Sequence, residues 1–267
     1  MKSLVSVVTM QMRKVYRRPD VLAFLLISIL IPCCVTLLFV GGSDAVSIGK
    51  EGLLNTPGIG FFSGLIGLSK VFLLPYFFFA LICASIFAGE IKSGIEVFYL
   101  VHVSKRLFLI GSKIISAFTL VLATALLFSI FTILCWWFIL KGTNGFVDVG
   151  FWSGEQSQDL ATVLTLCLSL TELFLLPPSF AFLSLLAKNQ SRALLFCFFI
   201  IVIEKFLENL EEIRNFLPTY IGNGYSLIGL ESNDLFTTFI SEEILLLFLI
   251  IFFTIATLLV YRRIELR

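Results

Sequence analysis

Residues 107–140 read LFLIGSKIISAFTLVLATALLFSIFTILCWWFIL, a run with a single charge, Lys113. Coiled at 1.5 Å per residue, it exceeds the roughly 30 Å of a bilayer's hydrocarbon core. No apolar–polar alternation or amphipathic stripe interrupts it, so it reads as a membrane-spanning helix rather than a surface helix or strand. Working outward, five further apolar runs occupy 21–40, 71–89, 160–187, 193–210 and 243–261. The fourth span, 160–187, contains Pro177-Pro178 and Glu172, and the fifth has only 193–203 free of charge before Glu204-Lys205.

The composition agrees. Hydrophobic residues make up 58% of the chain, charged residues only 14%, and 30 of the 267 residues are Phe. Soluble domains stand near 45–50% apolar and 25% charged. With mean hydropathy at +1.03, a soluble fold is excluded. The fold expected is all-α and integral to the membrane, a single domain over 1–267 with six transmembrane helices. No internal repeat or low-complexity segment divides it.

Charge distribution orients the spans. With the N-terminus in the cytoplasm, all but Lys50, Lys70, Lys141, Lys205 and Arg214 of the 19 basic residues fall inside, as the positive-inside rule requires. Among acidic residues only Asp20, Glu90, Glu96 and Glu265 do so. Both termini are therefore expected to be cytoplasmic. No cleaved signal peptide is expected, because the first apolar run starts after about twenty residues and is long enough to remain as a span. Cys33, Cys34, Cys83, Cys135, Cys167 and Cys197 all lie in apolar runs, where a thiol behaves as a small hydrophobe, so neither disulfide nor metal is expected.

Three segments outside the spans carry pattern. Leu4, Val7, Val8, Met12, Val15 and Tyr16 recur at helical spacing, with Gln11, Arg13, Lys14 and Arg17 between them. That predicts an amphipathic helix lying in the interface with its basic side on headgroups, closed by Pro19. Residues 41–70 read as a flexible outer loop ending in an apolar stretch, 59–68. Between Glu204 and Glu242, a helical pattern breaks at Pro218 and Gly222, and a second apolar patch follows at 225–230. Short helices dipping into the outer leaflet fit that pattern, since irregular backbone at that depth must be covered by protein or line a wet cavity.

Catalytic signatures are lacking. His102 is the single histidine, so no zinc pair exists, and no Gly-x-Ser-x-Gly occurs. The nearest approach to a P-loop, Gly49-Lys50, continues with Glu51 and has Asp44 at the first glycine position. An energy source for active transport would have to come from another chain.

The connector between the second and third spans is the most distinctive polar stretch. It contains Glu90, Lys92, Gly94, Glu96, then the apolar side Phe98, Tyr99, Leu100 and Val103, then Ser104-Lys105-Arg106 and Gly111-Ser112-Lys113. It resembles the loop of ABC-2-type transporter membrane subunits, which reads approximately Glu-Arg-x-x-Gly-Thr, an apolar helix, Pro-Val-Ser-Arg, then Gly-Lys. Glu90, Lys92 and Gly94 match its opening, Val103-Ser104 and Lys105-Arg106 its close, and Gly111-Ser112-Lys113 its Gly-Lys. Ile95 stands where the family has Thr, and His102 where it has Pro.

The resemblance implies a permease subunit whose connector is a coupling helix seated on a separate cytoplasmic ABC ATPase, which binds the ATP and Mg. It implies a second permease subunit, homo- or heterodimeric, and no cofactor in this chain. Residues implied in coupling are Glu90, Lys92, Gly94, Glu96, Ser104, Arg106 and Lys113. Export of an amphipathic peptide, antibiotic or lipid-linked molecule is the expected activity, with the bilayer and not nucleic acid as surroundings. Thr162, Thr165, Ser169, Glu172 and Ser179 share one face of the fourth span. A carboxylate there costs several kcal/mol unless paired or wetted. Thr165, Ser169 and Glu172, with Glu204 and Glu208 of the acidic cluster beyond the fifth span, are candidates for a substrate pathway; satisfaction by a neighbouring helix is the other reading. The alternatives are an ATP-independent channel or carrier, and an intramembrane enzyme.

Overall fold

A computed structural model describes residues 4–41, 57–94, 106–141, 150–227, 230 and 232–263. Most of these residues are helical, with no strand among them. In chain order the helices are α1 (Leu4–Tyr16), α2 (Pro19–Gly41), α3 (Gly58–Val71) and α4 (Leu74–Cys83, a π-helical turn Ala84–Gly89, then Glu90–Lys92). Next come α5 (Arg106–Cys135, closing in a π turn Trp136–Leu140), α6 (Gln156–Ala187), α7 (Gln190–Leu207), α8 (Glu211–Arg214), α9 (Pro218–Gly222) and α10 (Ser232–Arg263), with a 3-10 turn Tyr225–Leu227 before α10.

Five helices are long and apolar enough to cross a membrane: Pro19–Leu38, Leu74–Lys92, Leu107–Leu140, Gln156–Ala187 and Asp234–Arg263. This is a multi-pass all-α architecture. The expected fifth span at 193–210 is the exception. Its helix, α7, begins at Gln190, where the Asn189 side chain accepts from the Ser191 N–H at 3.1 Å, and ends at Leu207. Eighteen residues rise roughly 27 Å, short of the ~30 Å core. Arg192, Glu204 and Lys205 also lie within it.

Helix α6 is the hub. It packs against α3, α4, α5, α7, α9 and α10. Pro177 and Pro178 remove two N–H groups, yet α6 runs through them unbroken, and the Pro178 carbonyl accepts from Thr257 Oγ1 of α10 at 3.1 Å. The core on one side joins Tyr76, Phe79, Ile82 and Phe87 of α4 to Phe180 and Leu185 of α6 and Tyr261 of α10. A second cluster sets Ile221 and Leu227 against Leu164 and Leu168 of α6 and Leu246 of α10.

Two expectations outside the spans are corrected. The stretch read as a loop ending at Lys70 forms helix α3 over its last part. Phe61 and Leu65, one turn apart, bury against Trp136 and Leu140. The first N–H groups of α3 find acceptors in the Gly150 and Phe151 carbonyls, at 3.3 and 2.9 Å. Gly58 is required there, because a Cβ would sit 2.5 Å from the Phe151 ring. The chain then reverses through Leu73, whose φ of 54° is left-handed, into Pro75 in the first turn of α4. In α1 the buried stripe is Val7, Gln11 and Val15, at i, i+4 and i+8, packed on α5. Gln11 therefore belongs to the inward face, not to the headgroup face.

The six cysteines are free thiols. Cys33 of α2 and Cys135 of α5 nevertheless stand Sγ to Sγ at 3.6 Å, needing about 1.6 Å of closure to bond. Mild oxidation of the membrane-embedded protein should remove two of the thiols that maleimide counts after denaturation, and Cys135→Ser should restore one of them. Retention of both in the wild type would show that α2 and α5 do not pack in this register.

Candidate functional site: two buried ionic centres

Two carboxylates, Glu172 and Glu90, organise the polar interior. Fourteen residues along α4 separate Tyr76, at the first centre, from Glu90, at the second, a rise of roughly 20 Å.

Glu172 lies midway along α6 with no exposure to solvent. Its Oε2 meets Lys70 Nζ at 2.5 Å, and its Oε1 accepts from the Tyr76 hydroxyl. Lys70 is placed by the end of α3, and Tyr76 by the first turn of α4, so the reversal at Leu73 delivers both donors to one carboxylate. Lys70 also donates to the Gly222 carbonyl at 2.8 Å, and Ser169 Oγ donates to the same oxygen at 2.5 Å. A Cβ on Gly222 would overlap Glu172, so only glycine lets this backbone approach.

Gly222 ends α9, and the opposite end of that short helix is held by acids. Glu204 accepts from the Thr219 N–H at 3.0 Å, and Glu208 accepts from Thr219 Oγ1 at 2.5 Å while pairing with Lys205 at 2.7 Å. Carboxylates at the N-terminal N–H groups and an ammonium at the C-terminal carbonyl complement the helix polarity. Thus Ser169, Glu172, Glu204 and Glu208 converge on the segment Pro218–Gly222. Thr165 lies beside Gly224, which has a φ of 65° and whose Cβ would strike the Thr165 side chain. Thr162 and Ser179 instead bond carbonyls of their own helix. Of the two readings of the polar stripe, the geometry gives Glu172 protein partners on neighbouring elements.

The second centre sits where α4 ends. Glu90 Oε1 pairs with Lys14 of α1 at 2.7 Å, and Oε2 with Lys113 of α5 at 3.2 Å. Lys113 is buried, donates to the Ile86 carbonyl at 3.3 Å and lies 5.8 Å from the Phe87 ring centroid. Ile86 and Phe87 belong to the π turn, where the widened helix turns a carbonyl toward α5. The same turn carries Ser85, which accepts from Arg18; Arg18 in turn holds Asp20 through two contacts of 3.0 Å, and Asp20 caps Val21. Beyond Glu90 the chain leaves through Gly94, φ 68°, whose N–H bonds the Ile91 carbonyl at 3.2 Å.

Of the residues assigned to the connector, Glu90 and Lys113 are thus brought together in the interior and not presented on a surface. Lys92 is exposed and Gly94 half-buried. Arg106 opens α5; its side chain, with Glu96 and Ser104, falls outside the described residues. Three partners were not singled out from sequence: Lys70, Tyr76 and Lys14. Lys70 was the one legible signal, a lone cation in the otherwise uncharged stretch 52–89. Among the described residues no cluster of metal-ligating side chains occurs.

Comparison with family models, with curated proteins and with solved structures finds no match.

Breaking a buried pair leaves an uncompensated charge, which costs about 3–5 kcal/mol, whereas replacing both partners by apolar groups of similar size is close to neutral. Glu172→Leu and Lys70→Met should each lower the melting temperature sharply in detergent, and the double variant should recover most of the loss. Equal, additive losses would show that the two side chains do not interact.

Proposed function

We propose that the chain is the membrane-spanning permease subunit of an ABC exporter of the ABC-2 type, driven by a separate cytoplasmic ATPase that binds ATP and Mg. In this reading α7 serves as the fifth of six spans, short but presenting the apolar surface of Phe196, Phe199 and Phe206 to lipid. Both termini then lie in the cytoplasm, and a second permease subunit completes the pathway. The cargo is an amphipathic molecule.

One observation carries the reading. Glu90 ties α1, α4 and α5 together at the end of α4, where the connector begins. A segment anchored in that way moves three helices when it is pushed, which is the mechanical requirement for coupling nucleotide closure to a membrane domain. In this scheme Glu90 and Lys113 are positioning residues. Lys92, Gly94, Glu96, Ser104 and Arg106 are left to meet the ATPase. Glu172, Lys70 and the acids around Pro218–Gly222 hold the opposite end of the bundle closed over the pathway.

This reading predicts a Walker-motif ATPase encoded alongside the chain that co-purifies with it. Arg106→Glu should abolish that association while leaving the melting temperature of the isolated subunit unchanged. Glu90→Gln should instead lower the melting temperature and uncouple ATP turnover from transport. Retention of the complex and of coupled transport in Arg106→Glu would contradict the assignment.

A further inference from the structure

Helices α2, α3, α4, α5 and α6 enclose a cavity of about 330 Å³, at the lower end of the range for small-molecule sites. Its inner wall is apolar, with Phe24 and Phe79 buried behind it. The hydroxyls that line it are already committed. Ser28 donates to Phe24, Ser69 to Ile66, Thr124 to Leu120 and Ser129 to Ala125, all backbone carbonyls at 2.7–3.0 Å. The Ser169 hydroxyl and the Lys70 ammonium, also in the lining, are turned to Gly222 and Glu172. A ligand here is offered hydrocarbon.

The mouth is lateral. Among the lining residues, Leu122 and Leu126 of α5 and Cys167 and Leu170 of α6 are exposed, on the sides of two helices that are long and apolar enough to span a bilayer. Along α6 the lining runs from Val163 to Leu173, which at 1.5 Å per residue is roughly 15 Å parallel to the helix axis. That is half of a ~30 Å hydrocarbon core, the depth of one leaflet.

We propose that this cavity binds one fatty-acyl chain of a bilayer phospholipid, which enters sideways between α5 and α6 and lies along α6. Length, lateral mouth and the lack of an uncommitted hydroxyl proton in the lining all select a hydrocarbon chain over a polar ligand. An empty apolar void forfeits dispersion contacts, and a lipid chain fills it without any desolvation of polar groups. The seated chain stands against the aliphatic stem of Lys70, which lines the cavity. The site stands apart from the exporter reading and needs no ATPase.

The test uses the full chain in lipid nanodiscs containing a phosphatidylcholine with a diazirine on its acyl chain, with adducts mapped by peptide mass spectrometry. With adducts resolved to single residues, labelling is expected on the inner wall at Phe24, Ser28, Phe79 and Leu173, as well as at Phe248 and Phe252 on the exposed face of α10. Ala125→Trp, which fills the cavity, and Leu170→Trp, which obstructs its mouth at an exposed and tolerant position, should each remove the wall adducts and leave those on α10. Wall residues unlabelled in the wild type, or labelled equally in both variants, would overturn the proposal. Labelling that appears only once the protein is dispersed to monomers would also overturn it, showing that a second copy covers the mouth.

Discussion

A carboxylate inside hydrocarbon must find a cation and hydrogen-bond donors or be lost to protonation, at a cost of several kcal/mol. That constraint fixes this architecture. Glu172 lies at the middle of the hub helix, and three separate elements converge to satisfy it or share its partners: the end of α3 through Lys70, the start of α4 through Tyr76, and the end of α9 through Gly222. Each of the three also packs through apolar residues, Phe61 and Leu65 of α3, Phe79 and Ile82 of α4 and Ile221 of α9, and the polar contacts set the residue at which they meet. The reversal between α3 and α4 in particular uses a left-handed leucine. That strained geometry is acceptable because it sets two donors on one acceptor.

The same constraint acts again at Glu90, with a different result. There the partners come from α1 and α5, and the π turn in α4 supplies the extra width that admits Lys113. Glu172 gathers short segments under the bundle's end, whereas Glu90 fastens one end of each of three long or amphipathic helices. The two centres share α4, the first at its opening turn through Tyr76 and the second at its end through Glu90. Buried salt bridges are poor sources of net stability, because desolvation offsets their attraction. Their use here is to specify which helices meet, and at which residue.

Much of this was legible in the sequence. The long runs around 107–140 and 160–187 could be read from hydropathy alone, because a span must satisfy its own backbone and so declares its length. Residues 41–70 could not be read so well. Glycine, proline and apolar residues alternate there without clear period, and only the pocket formed by Trp136, Leu140 and Phe151 makes 58–71 a helix. The fifth run was ambiguous for a physical reason: Glu204 and Lys205 look like the end of a span, yet both carboxylates beyond it turn inward to hold Thr219. Gln11 illustrates the same limit, since a polar residue on a buried stripe reads as surface until its neighbours are known. At the sites, Glu172 stands out as an isolated acid and Glu90 as the start of the polar connector, but their partners Lys70 and Lys14 lie 102 and 76 residues away, a separation no local pattern reports.

The central claim is that Glu90 joins α1 to α4 and α5 as one mechanical unit. Hydrogen–deuterium exchange on the wild type and on Glu90→Gln in nanodiscs tests it directly. The account predicts that amides of Leu4–Tyr16 and those of Ala84–Lys92 lose protection together in the variant, while those of α10 keep theirs. Loss confined to Ala84–Lys92, with α1 protected as before, would contradict it.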